Sequence, residues 1–149
     1  MSQQVISAPA GSGLQVRAST VDFGVRAVAA ILALTIATLH VADQGGIATL
    51  ADGNWIGWGY RAIEVGGVLT ALLMLVPQRF LPGPAWLRWA PAVLLGIGPF
   101  IGYLATRTTG IPGDYADVGN WADWVGTAAL LAEAALITLS VSVVRALRR

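Results

Sequence analysis

No cysteine occurs in the 149 residues, and that absence alone excludes disulfides, thiolate catalysis, Cys-ligated zinc, iron–sulfur clusters and covalent c-type haem. Histidine is nearly as scarce. His40 stands alone, so one chain cannot offer two imidazoles to a haem or build a multi-His zinc or copper site. Lysine is missing as well: all nine basic side chains are Arg, a bias we assign to GC-rich coding. Charge of either sign is thin. With 11% charged residues, a formal net charge of +1 and no basic run, the chain has no field for nucleic acid. Serine nucleophile elbows, phosphate-cradling loops and metalloprotease helix motifs are also absent from the sequence.

What is present is apolar. Hydrophobic residues make up 56% of the chain and the mean hydropathy is +0.68, too apolar for a water-soluble domain of this size. The composition implies a bilayer. Residues 1–20, rich in Ser, Gln, Ala and Gly, read as a flexible tail. Four apolar runs follow, at about 21–42, 60–76, 89–106 and 120–144, each long enough to cross a hydrocarbon core of about 30 Å. The first is expected to be a retained helix, because Thr35, Thr38 and His40 interrupt the region where a cleavable signal core should be cleanest. Pro77 ends the second run, Pro91 suits a first helical turn, and Pro99 inside the third predicts a kink.

The fold class expected is therefore all-α, a four-helix transmembrane bundle. Arg17, Arg26, Arg79, Arg88, Arg145, Arg148 and Arg149 fall on one side of it, against Arg61 and Arg107 on the other. The positive-inside rule then puts both termini in the cytoplasm. Trp55 and Trp58 are read as one interfacial belt, Trp86 and Trp89 as a second. Helices in lipid associate through small residues. Gly98 and Gly102 form one such pair. Gly126, Ala129, Glu133 and Ser140 share a face of the last helix, and Tyr60, Glu64, Gly67 and Ala71 share a face of the second.

Chemistry, if any, should border the stretch from Tyr103 to Glu133, where an apolar run ends, a Gly/Pro turn follows, and an acidic Trp-bearing loop feeds the next run. Glu133 falls near mid-membrane. It reads either as a proton site or ion ligand, or as a carboxylic acid hydrogen-bonded to a neighbouring helix, with carbonyls freed near Pro99 as candidate acceptors. Glu64 sits three residues after Arg61, at ion-pair spacing. Arg107 and Tyr103 face one way, and Arg107 reads as an interfacial Arg or the partner of an outer acid ahead of a substrate clamp. His40 ends the first helix, where it caps the dipole, binds a metal, or joins Glu64, Tyr103 and Arg107 around an outer vestibule. Asp114, Asp117 and Asp123 lack the ligand ladder of a calcium loop. Gly110, Pro112 and Gly113 mark a rigid structural turn.

The turn T-R-T-T-G-I-P-G, Thr106 to Gly113, with the acidic loop and the acid in A-L-L-A-E-A-A-L after it, resembles a group of small four-helix membrane proteins common in actinobacteria. Their third helix likewise ends in T-R-T-x-G-[IL]-P. The resemblance covers the second half of the chain, and more loosely the first, through L-H-V-A-D and a Gly/Trp-rich start to the second helix. It implies a multi-pass protein of the bacterial cytoplasmic membrane. It directs attention to His40, Arg107, Pro112 and Glu133, while naming no reaction and no cofactor. The function expected is a non-enzymatic accessory or subunit, packed against a membrane partner or a second copy, with an outward-facing polar pocket. The alternative is a small proton-coupled transporter acting as an oligomer, with Glu133 titrating.

Overall fold

Side-chain caps and prolines divide the apolar sequence into helices. In the computed structural model, which describes residues 12–46 and 54–149, these are α1 (Ser12–Asp43), α2 (Trp55–Leu75), α3 (Ala90–Thr108) and α4 (Trp124–Leu147). Two short 3₁₀ turns, Gln78–Phe80 and Ala85–Trp89, join α2 to α3. The expected tail is shorter than read: α1 begins at Ser12, and residues 1–11 lie outside the described part. Caps account for the other shifts. Asn54 accepts from Gly57 N and starts α2 at Trp55 instead of Tyr60. Asp123 accepts from Val125 N and Gly126 N and starts α4 at Trp124 instead of about residue 120. Helix α3 runs on through Pro99 to Thr108.

Three segments are long and apolar enough to cross a membrane: Asp22–Asp43, Ala85–Thr108 and Trp124–Leu147. Helix α2, the fourth of the expected spans, is not among them. Its 21 residues suffice in length, but its first turns hold Trp, Gly, Tyr60, Arg61 and Glu64, which dilute the hydropathy of the whole.

Helix α1 packs against α2 and α4, and α4 against α3, around a core that includes Ala33, Ile36, Met74, Trp89 and Leu136. Small residues set the separations. A Cβ on Gly67 would lie 2.7 Å from the backbone oxygen of Ala33, and one on Gly96 would lie 2.6 Å from Ile137. The Gly98 and Gly102 pair, by contrast, meets nothing within 4 Å. Within the chain the pair therefore packs on no helix and faces open space between α2 and α3, where the two helices diverge.

Two arginines read from sequence as flanking charges prove to be buried. Arg26 donates to the carbonyls of Met74 and Val76, at 3.1 and 3.2 Å, and Arg88 donates to Val76 at 2.9 Å. They close the end of α2, where orphan carbonyls need donors and Pro77 has no N–H to give. Trp89 also departs from its expected belt. It is buried in the core, whereas Trp86 is half-buried beneath the Arg148 guanidinium, 4.3 Å from the ring centre.

Candidate functional site

The divergence of α2 and α3 leaves a cavity of about 770 Å³, within the usual range for small-molecule sites. One end lies under the loop after α3. There His40 and Asp43 of α1, Tyr60 of α2, Tyr103 and Arg107 of α3, and Glu133 of α4 meet. From that end the cavity follows α3 down to Pro91, about 24 Å at the helical rise. Its walls there are apolar. Leu69 and Leu94 form the flanks and are 59% and 71% exposed, so the cleft opens sideways as well as outward.

The outer end is built around Arg107. Its guanidinium, in a residue only 6% exposed, donates to Asp117 and, at 3.1 Å, to Asp123, and lies 4.7 Å over the Tyr103 ring. Because Asp123 also caps α4, one cation ties the end of α3, the acidic loop and the start of α4 together. Below it, the ring of Tyr103 packs on Gly126, where a Cβ would come within 2.5 Å. The turn carries the loop across. Gly110 and Gly113 take φ of 73° and 95°, and Asp114 N donates to Ile111 O at 2.8 Å across Pro112-Gly113, the pattern of a type II turn. Trp55 Nε1 donates to Pro112 O at 3.0 Å, which ties this turn to the first turn of α2.

Glu133 is 1% exposed and lines the cavity from α4. Its Oε2 accepts no hydrogen bond. The acceptor expected near Pro99 is therefore not used, and the nearest polar partner is His40, whose Nε2 stands 3.7 Å from Oε1. That gap exceeds a hydrogen bond. His40 Nδ1 lies 2.9 Å from Ile36 O; since a carbonyl only accepts, Nδ1 carries a hydrogen, and when the ring is neutral Nε2 is the acceptor that faces Glu133. Tyr60 packs on the same imidazole, centroids 5.7 Å apart, and donates its hydroxyl to Asp43.

The structure thus brings His40, Tyr103, Arg107 and Glu133 to one cavity. Glu64 is not part of it. This buried carboxylate accepts from Arg61 and Gln44 on the far side of α2, which bridges α2 to the end of α1. Sequence reading missed Asp123 as a cap and Tyr60 as a wall of the site. An Asp directly before an apolar run was the available signal for the first; for the second, helical spacing put Tyr60 on a face with Glu64, Gly67 and Ala71 and left the cavity beside it unmarked. Among the described residues, no three His, Asp or Glu side chains gather as a metal would require. Comparison with family models, with curated proteins and with solved structures finds no match to this chain, so the cavity has to be interpreted from its own chemistry.

Proposed function

We propose that this protein is a four-helix integral membrane protein with both termini in the cytoplasm, a non-enzymatic accessory or subunit that holds a small ligand in an outward-facing pocket. One observation carries the reading: Glu133, buried and with a partnerless oxygen, lines a cavity whose walls are mostly apolar. A buried polar group without a partner is costly, and such groups mark sites rather than scaffolding. The surroundings agree. Large apolar side chains such as Val65, Leu72, Ile101 and Leu131 point outward from three helices, which suits lipid, and the Arg asymmetry orients the bundle. Helix α2 crosses with the others because its buried Glu64 is neutralised by Arg61 within the protein. The likeness to small actinobacterial membrane proteins in the turn after α3 fits the same picture and a bacterial cytoplasmic membrane.

Proton-coupled transport is the second reading, favoured by the facing of His40 and Glu133. It needs a water path from each side in turn. Toward the Arg-rich end, Ile36, Met74, Leu136 and Ser140 have no exposed surface at all, which supports a pocket open to one side only. Native mass spectrometry of protein extracted in mild detergent tests the proposal. A stoichiometric small-molecule adduct is expected, while a bare chain that exchanges protons across vesicles would favour transport.

A further inference from the structure

The hydrogen-bonding sense of the cavity limits what can occupy its polar end, given the ligand-binding reading above. Most of the donors there are engaged: the two Nη atoms of Arg107 on Asp117 and Asp123, Tyr60 on Asp43, and Thr106 on the Tyr103 carbonyl at 2.9 Å, with Arg107 Nε and the Tyr103 hydroxyl outside these bonds. The acceptors are not. His40 Nε2 faces Glu133 Oε1 across 3.7 Å and Glu133 Oε2 accepts no hydrogen bond, so an occupant that brings hydrogens suits this pair. Charge points the same way. The wall holds the carboxylates of Asp43, Asp114, Asp117 and Glu133 against the single guanidinium of Arg107, itself matched by two acids. An anionic head group would meet uncompensated like charge. The lower part of the cavity is apolar and laterally open between Leu69 and Leu94, with Gly66 and Gly98 flattening its walls.

We infer that the cavity takes an amphiphilic amine, its ammonium held between His40 Nε2 and the Glu133 carboxylate and its hydrocarbon chain lying in the cleft between α2 and α3. An ammonium has three donors, enough for the imidazole and both carboxylate oxygens. Pairing offsets the penalty that either charge alone meets in an apolar site. The tail replaces lipid against Leu69, Leu73 and Leu94.

Spin-labelled C18 chains ending in an amine, an alcohol or a carboxylic acid, added to the full chain in phosphatidylcholine nanodiscs, separate the possibilities by the immobilised fraction of each label. The amine should bind about tenfold more tightly than the alcohol, in keeping with a charge-assisted contact, with the acid weakest. Glu133→Gln should abolish the preference. The comparison of head groups on the unaltered chain stands even if that variant folds poorly. Equal binding of all three, or preference for the acid, overturns the amine while leaving a ligand pocket; binding of none overturns the pocket itself. Adding phosphatidylethanolamine identifies the source, since displacement of the labelled amine assigns the site to a membrane aminolipid and its persistence assigns a free amine.

Discussion

Arg107 ties the end of α3 to the acidic loop and to the start of α4, because one of its carboxylate partners lies in that loop and the other caps α4. Arg107→Leu should leave both acids without their cation and lower stability by about 3 kcal/mol, the scale for breaking a buried pair. Asp117 and Asp123 are 37% and 21% exposed at the side chain, so water will soften the loss below the upper end of that scale. Thermal unfolding in detergent measures it, and a melting temperature unchanged from wild type would refute the anchor. Arg107 was visible in sequence as the charge ending an apolar run, and so was the chance of an acidic partner. Which acids it meets was not, for the loop conformation that brings Asp117 and Asp123 together depends on Gly110 and Gly113 at positive φ. The facing of His40 and Glu133 was equally illegible, since it arises from α1 packing on α4 and from an imidazole rotated by its bond to Ile36 O.

At the scale of the helices, periodicity gave reliable faces. Gly126, Ala129, Glu133 and Ser140 are all buried on α4, as are Glu64, Gly67 and Ala71 on α2. Small-residue pairs were less reliable. They show that backbones are free to approach, whereas Gly67 does so and Gly98 does not. The two positions therefore predict opposite outcomes. Gly67→Ala drives a methyl into Ala33 O and Ala37 and should destabilise by about 1–3 kcal/mol. Gly98→Ala meets open space and should be neutral, or stabilising by up to about 1 kcal/mol through helix propensity. Equal effects at both sites in detergent unfolding would mean that the cleft between α2 and α3 is closed. Boundaries erred wherever a cap was overlooked, at Asn54 and Asp123, because hydropathy weighs the apolar residues of a run and ignores the polar one that starts it.

Among the described residues the bundle leaves a seam open between α2 and α3, and the orientation proposed for it rests on where the arginines fall. The absence of native Cys makes that orientation directly measurable. Single cysteines at Asn120 and Arg149 should react oppositely with an impermeant thiol reagent, with only Asn120→Cys labelled in intact cells; labelling of Arg149→Cys alone would invert the topology. The central claim is narrower, that the seam is a binding site. Gly98 faces the cavity with nothing near its Cα hydrogen, so Gly98→Phe should fill the cleft without disturbing the packed helices. Native mass spectra of wild type and Gly98→Phe, released from the same lipid nanodiscs, test this most directly. The account predicts a stoichiometric adduct on the wild-type chain that the phenylalanine variant lacks at unchanged melting temperature; an adduct retained equally by both, or absent from both, would contradict it.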